Sequence, residues 1–195
     1  MRNKVSAIFF AIAGFLILNI AGVFAVADAA YVLEDSSQVS NDITNILEDL
    51  EISYETVRDS DISETDFSDY GIVIIVEDVT QKDIIPYDEI STIFLDREIA
   101  EEIWTLGSTG FSTGRFIEVK DEDSFVFEGI DIPSDDELEV YNDLFGSTIH
   151  YINSIQQSGL TTVAYKQDTS KPLIAYSTMI DGDEIRKYLF FGLKE

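Results

Sequence analysis

The feature that most constrains the fold is an uninterrupted run of five β-favouring apolar residues, Ile72 to Val76. Tyr70-Gly71 precedes the run and Glu77-Asp78 follows it. A half-exposed strand alternates apolar and polar residues, whereas a run without alternation is typical of a strand buried on both faces. Such strands occur in parallel sheets that other elements cover on each side. The run therefore predicts the central strand of a parallel sheet.

The segments around this run alternate strands and helices. Residues 30–33 and 53–57 are predicted as strands, and a helix from about Ser40 to Leu50 lies between them, with Ser40 as its N-cap. Residues 91–95 predict another strand, which a helix over residues 97–106 follows. This order is the pattern of parallel strands joined by right-handed crossovers. It predicts an α/β fold with a mostly parallel sheet.

The second half of the chain has a different, β-rich pattern. The Gly-rich stretch 107–114 lacks the Lys of a phosphate loop and predicts a flexible connector. Short strands separated by Gly, Pro and Asp turns are then predicted at residues 116–119, 125–127, 138–141, 148–151, 161–165, 173–176 and 188–191.

The charge of the chain excludes several classes of partner. With 38 acidic and 12 basic residues, the formal net charge is -26. Nucleic acid and anionic lipid surfaces both require a basic face, so neither is expected as a partner of the mature chain. The acidity fits either adaptation to a saline exterior or an ordinary acidic secreted surface, and the sequence leaves both open.

The first 29 residues predict export. Arg2 and Lys4 precede an apolar run from Val5 to Ala27, and Ala25-Val26-Ala27 and Ala27-Asp28-Ala29 both have the spacing of a signal cleavage site. The run is also long enough to remain as a membrane anchor. Both alternatives place residues 30–195, predicted as a single domain, outside the cytoplasm, at the cell surface or beyond it. A membrane would be contacted only through an uncleaved segment.

Acidic residues follow the predicted strands and form the candidate ligand site. Ligands of open α/β sheets bind beyond the carboxyl ends of the strands, where these side chains would converge. Clustered carboxylates suit Ca²⁺ or Mg²⁺, although ordinary solvated loop acids give the same pattern. No other cofactor is expected. The candidate residues are Glu34, Asp35, Glu77, Asp78 and Asp96.

Four stretches of the chain resemble the class I glutamine amidotransferase-like superfamily, closest to its secreted, ThuA-like branch. They are residues 31–35 (Tyr-Val-Leu-Glu-Asp), 67–74 (Phe-Ser-Asp-Tyr-Gly-Ile-Val-Ile), 127–130 (Phe-Glu-Gly-Ile) and 187–192 (Lys-Tyr-Leu-Phe-Phe-Gly). The resemblance covers most of residues 30–195 and implies a flavodoxin-like, doubly wound core. It also implies that a catalytic Cys would stand on a sharp turn after a strand, with a His and an acid nearby.

The chain departs from that pattern at the catalytic position. It contains no Cys, its only histidine is His150, and Leu95-Asp96-Arg97 follows the candidate strand. An amidotransferase or Cys hydrolase is therefore excluded on chemical grounds. The sequence predicts an exported, non-catalytic binding or structural domain whose partner is an envelope protein or glycan. The alternative is a metal-assisted hydrolase of envelope glycans or peptides that uses the carboxylate cluster.

Overall fold

The computed structural model describes residues 27–104, 107–124, 127, 131–141, 147–156, 159–181 and 184–193. These residues contain eleven strands and two α-helices. In chain order the elements are β1 (Ala27–Leu33), α1 (Asn41–Asp49), β2 (Tyr54–Arg58), β3 (Tyr70–Ile75), β4 (Ser91–Phe94), α2 (Arg97–Ile103), β5 (Thr109–Gly114), β6 (Phe116–Val119), β7 (Glu137–Glu139), β8 (Ser147–Ile152), β9 (Thr161–Lys166), β10 (Pro172–Asp181) and β11 (Glu184–Phe191).

The strands form a nine-stranded mixed sheet and a two-stranded sheet. The large sheet has the order β2-β1-β3-β4-β11-β10-β9-β6-β7, and β5 pairs with β8 in the small one. The first five strands of the large sheet are parallel to one another. The sheet continues from β11 through β10, β9, β6 and β7, and each of these strands pairs antiparallel with the one before it. The predicted α/β class is confirmed, but only the first five strands of the large sheet form a parallel array.

Strand β3 is the middle strand of this parallel array, as predicted. Its side chains from Ile72 to Ile75 are completely buried. Ile72 and Ile74 contribute to the core on one face of the sheet, and Val73 and Ile75 contribute to the core on the other. Burial on both faces explains why the run shows no alternation of apolar and polar residues.

Each face of the sheet is covered by one α-helix. Helix α1 packs on the first face through Ile43, Ile46 and Leu47, and the side chain of Ser40 caps it by accepting a hydrogen bond from the Ile43 N–H. Helix α2 packs on the opposite face through Ile99. Loops and short 3-10 turns cover much of the remainder. The structure is therefore strand-rich, and its doubly wound character is limited to these two helices.

None of the helices in the described residues combines the length and the apolarity that a membrane span requires.

The predicted flexible connector at residues 107–114 is wrong, because most of it is strand β5. Residues Thr109 to Gly114 pair antiparallel with Ile152 to Ser147 of β8. Glycine is required at position 110 for a steric reason. A Cβ atom there would lie 2.8 Å from Cε2 of Tyr151, the residue that pairs with Gly110 on β8. Gly110 is thus needed for close packing of an aromatic ring, a role that composition does not distinguish from flexibility.

Several predicted boundaries shift in the structure. Helix α2 ends at Ile103, earlier than predicted, and β7 ends at Glu139. Strands β10 and β11 are longer than predicted because they pair with each other over eight residue pairs, from Ile174–Phe191 to Asp181–Glu184. The predicted strand at 125–127 falls mostly on residues 125 and 126, which lie outside the described residues.

Strand β1 begins at Ala27, three residues before its predicted start. Ala27 and Ala29 are buried, and the carboxylate of Asp28 accepts hydrogen bonds of 2.8 Å from both the backbone N–H and the hydroxyl of Ser53. Residues 27–29 are therefore an integral part of the sheet. Residues 1–26 of the predicted export segment lie outside the described residues.

Candidate functional site

The candidate site lies where the parallel strands β1 to β4 end. Because these strands are parallel, their carboxyl ends reach the same edge of the sheet. Ligands of open α/β sheets bind at this edge. The loops that follow the strands carry all five acids predicted as ligands: Glu34, Asp35, Glu77, Asp78 and Asp96.

Three of these acids link the loop after β1 to neighbouring loops. The backbone N–H of Glu34 donates to Oε2 of Glu77 at 3.3 Å, so the contact joins the main chain of Glu34 to the side chain of Glu77. Asp35 does not join them through its carboxylate, since its Oδ1 accepts a 2.9 Å hydrogen bond from the backbone N–H of Ser60. In both contacts a carboxylate oxygen binds a backbone donor of another loop.

Asp78 and Asp96 also bind groups of the chain itself. Asp78 forms a 2.8 Å ion pair with Lys82, which also contacts Glu102 at 2.6 Å. The hydrogen bonds to Asp78 and Glu102 raise the pKa of Lys82 above its ordinary value. Asp96 is the N-cap of α2, and its Oδ1 accepts hydrogen bonds of 2.8 and 3.1 Å from the first backbone N–H groups of the helix.

The sequence prediction missed Arg58, which fastens the loop after β1 to the end of β2. Its Nη1 donates to the backbone carbonyls of Glu34 and Ser37 at 2.9 and 2.6 Å. A guanidinium carries several donors in a fixed plane and stays charged, so it suits the binding of several carbonyl oxygens at once. Its position directly after a predicted strand, among acids, was the available signal.

Asp59, also missed, is the corresponding acceptor for the loop after β3. Its Oδ2 accepts from the backbone N–H and hydroxyl of Thr80 at 3.1 and 2.6 Å, and its Oδ1 accepts from the backbone N–H of Gln81 at 3.0 Å. Partial burial raises the pKa of Asp59, but these hydrogen bonds outweigh that effect and lower the pKa below its ordinary value. The charged carboxylate is therefore the form that the fold favours.

These contacts assign a mechanical role to the acidic edge. The carboxylates bind backbone N–H groups, hydroxyls and an ammonium, which are the donors that a metal ion would have to displace. Within the described parts of the chain, no group of three or more His, Cys, Asp or Glu side chains is arranged to hold a metal ion. The arrangement fastens the loops after β1, β2 and β3 to one another at the end of the sheet, and Lys82 joins the last of them to helix α2.

The turn between β4 and α2 carries no reactive group. Asp96 stands there with extended backbone angles, φ -91° and ψ 128°. The non-glycine residues with positive φ in the described parts of the chain are Glu51, Asp136 and Asp168, all in other turns. A strained turn that projects a nucleophile is thus absent at this described position. His150 is buried on β8, where its backbone N–H donates to the carbonyl of Gly192 at 2.6 Å.

Comparison with known proteins gives one structural likeness. The fold is similar to the crystal structure of a glutamine amidotransferase from Thermotoga maritima, with a TM-score of 0.52 and 11% sequence identity, over 85% of this chain and 74% of that one. No family model and no curated protein matches the sequence. At this identity the likeness concerns the fold alone, and it supports an amidotransferase-like α/β architecture.

Proposed function

We propose that the chain is an exported, non-catalytic binding or structural domain that acts at the cell envelope. The observation that carries this proposal is the use of the acidic edge: four of the five acids predicted as ligands accept hydrogen bonds from the chain or pair with its lysine, namely Asp35, Glu77, Asp78 and Asp96. The chain has no Cys, and Asp96 on the turn after β4 caps a helix. We also propose that the chain belongs to the secreted branch of the amidotransferase-like superfamily, with a flavodoxin-like core.

Export is inferred from the basic residues and long apolar run at the start of the sequence. The contacts of β1 bear on which of the two cleavage sites we expect. Cleavage after Ala29 would remove from β1 the buried Ala29 and also Asp28, with its hydrogen bonds to Ser53, whereas cleavage after Ala27 would keep both residues. We therefore expect either cleavage after Ala27 or retention of the segment as an anchor.

The test expresses the full chain with a C-terminal epitope in a bacterium and combines three measurements. Cell fractionation and protease accessibility report the location of the domain. Mass spectrometry of the purified chain reports its N-terminus, which we expect at Asp28 or before the apolar run. An ammonia-release assay with glutamine reports the amidotransferase half-reaction, and we expect no turnover. A chain confined to the cytoplasm, or ammonia release that Asp96→Asn abolishes, would overturn the proposal.

The metal-assisted hydrolase remains the alternative function, but no contact favours it. It needs carboxylate oxygens that are free to bind a cation, and Asp35, Asp78 and Asp96 each engage their Oδ1 within the fold. Stoichiometric Ca²⁺ or Mg²⁺ binding that is lost in Glu77→Gln together with Asp35→Asn would restore it.

A further inference from the structure

Two lysines lie against one aromatic ring in this strongly acidic chain. The ammonium of Lys171 is 4.6 Å from the ring centroid of Tyr151, and that of Lys166 is 5.9 Å from it. Within the described parts of the chain neither lysine forms an ion pair, although the sequence contains 38 acids. By contrast, Lys82 contacts two carboxylates. The positive charge of the two lysines is therefore not neutralised by the described residues.

The hairpin between β9 and β10 holds both lysines in place. The backbone N–H of Lys166 donates to the carbonyl of Lys171 at 2.9 Å. Thr169 closes the turn between them, since its N–H and hydroxyl both donate to the carbonyl of Lys166, at 3.1 and 2.8 Å. Both side chains are half-buried. This short turn directs the two ammonium groups to the same ring before any ligand is bound.

The ring is held from its other side by the small sheet. Tyr151 pairs with Gly110 of β5, and a Cβ on Gly110 would lie 2.8 Å from both Cε2 of Tyr151 and Nδ2 of Asn153. Asn153 is fixed by a 3.0 Å hydrogen bond from its Nδ2 to the carbonyl of Thr109. The ring thus has little freedom to move away from the lysines. Two like charges near one ring repel each other, and a bound anion would offset that repulsion.

We propose that Lys166 and Lys171 bind an oxyanion of an acidic envelope glycan. The inference rests on the proposed location at the envelope and names the chemistry of the ligand there. Carboxylate and sulfate oxygens accept charge-assisted hydrogen bonds from ammonium groups. The neighbouring strands β5 and β8 contain no Asp, Glu, Lys or Arg, and the exposed Thr113 and Thr148 carry hydroxyl groups suited to sugar hydroxyls.

A linear glycan fits this site better than a second copy of the chain. A second copy brings a formal charge of -26, and self-repulsion of this size opposes association. A flexible polymer with anionic groups at intervals contacts the two ammonium groups without bringing another acidic surface close. At about 0.15 M salt the Debye length is about 8 Å, so distant acids of the domain are largely screened from the bound group.

The experiment measures binding of the purified full chain to immobilised polygalacturonate and dextran sulfate, with neutral dextran as the uncharged reference. We expect binding to at least one anionic polymer and none to dextran. Lys171→Gln and Lys166→Gln should each weaken binding about tenfold, the loss of one charge-assisted hydrogen bond. Gly110→Ala should weaken it too, by displacing the ring. Urea unfolding of each variant reports whether the domain remains folded.

The matched control is Lys120→Gln. Lys120 also lies over an aromatic ring, 5.9 Å from the centroid of Tyr165, and its substitution makes the same change in net charge. We expect it to change binding by less than about twofold, as befits an exposed charge outside the site.

Three results would overturn the proposal: no binding to either anionic polymer, an equal loss in the Lys120 variant, or self-association in light scattering that Lys171→Gln abolishes. The last result would identify a second copy as the anion. Failure here leaves the location and turnover tests of the proposed function unaffected, so the two failures are distinguishable.

Discussion

Replacing Asp59 with Asn should destabilise the domain more than its small change in shape suggests. Both oxygens of the Asp59 carboxylate accept hydrogen bonds, two from Thr80 and one from the backbone N–H of Gln81. In Asp59→Asn an NH2 group replaces one oxygen. If that group faces Thr80, the backbone N–H of Thr80 loses its acceptor and the hydroxyl can no longer donate to it. The loop after β3 is then fastened to the end of β2 only through Gln81.

The expected loss follows from the hydrogen bonds. A hydrogen bond to a buried charged acceptor contributes about 1.5–3 kcal/mol to the free energy of unfolding. Asp59 is half-buried, and solvent screening lowers that contribution. The substitution removes up to two such bonds, so we expect the free energy of unfolding to fall by about 2 kcal/mol near neutral pH.

The effect should depend on pH with a defined sign. Partial burial raises the pKa of Asp59, but the hydrogen bonds from Thr80 and Gln81 lower it further than burial raises it. A lowered pKa in the folded state adds stability that is present above the unfolded pKa, about 3.9. This stability is lost as the pH falls through the folded value. The difference between wild type and Asp59→Asn should therefore shrink below about pH 4.

Urea unfolding followed by the fluorescence of Trp104, the only tryptophan and a buried one, measures these differences. Asp61→Asn is the control, because Asp61 is exposed, lies in the same 3-10 turn and gives the same charge change. In a chain of this acidity either substitution also relieves repulsion, which the control measures. Equal stability of the Asp59 and Asp61 variants at neutral pH would refute the loop-fastening role.

Four other predictions concern stability, titration and the response to ions. Ser177→Ala should leave the free energy of unfolding unchanged or raise it by up to about 1 kcal/mol, because the buried Ser177 Oγ has no hydrogen-bond partner among the described residues. Thr92→Val should lower it by about 1 kcal/mol in the same urea assay, because the Thr92 hydroxyl donates to the carbonyl of Ile90. Burial and the hydrogen bond to Glu55 raise the pKa of Tyr70 to about 12. Glu55→Gln should lower this pKa, as measured by an absorbance titration with Tyr70→Phe as the reference. The stability of the wild type should fall as the pH rises from about 10, the unfolded pKa, to about 12, the folded pKa. Chelator should leave the Tm unchanged and about molar NaCl should raise it by screening, whereas a rise with millimolar Ca²⁺ alone would contradict the mechanical role of the acidic edge.

Local patterns in the sequence predicted two kinds of element: a helix stabilised by its own cap and apolar periodicity, and a strand that is completely buried. The run around Ile72 identified β3, and Ser40 with its apolar periodicity identified α1. Strand β5 could not be predicted in this way, because its partner β8 is 33 or more residues further along the chain and its glycines resemble a flexible linker. Close approach to Tyr151, the physical reason for Gly110, exists only in the folded chain.

The candidate site shows the same limit for charged residues. The positions of Glu34, Asp35, Glu77, Asp78 and Asp96 after strands were predictable. The hydrogen-bond donors of Asp35 and Glu77 were not, because the backbone N–H groups of Ser60 and Glu34 lie in loops whose course depends on the sheet order. The carboxylate pattern alone does not separate ligands of a cation from fasteners of loops.

The distribution of charge suggests where a partner approaches. At the carboxyl edge of the parallel strands, acids accept hydrogen bonds from the chain's own donors and leave the surface negative, so this edge repels anions. No group of side chains arranged to hold a metal ion is found there among the described residues. The small sheet differs, because neither β5 nor β8 contains an Asp, Glu, Lys or Arg and Lys166 and Lys171 lie beside it. A chain of net charge -26 meets an anionic partner with least repulsion at such a surface. We therefore expect the double charge reversal Lys166→Glu with Lys171→Glu to abolish binding of the anionic polymer. Asp78→Asn at the acidic edge should leave that binding unchanged. The reverse outcome would move the binding surface to the carboxyl edge.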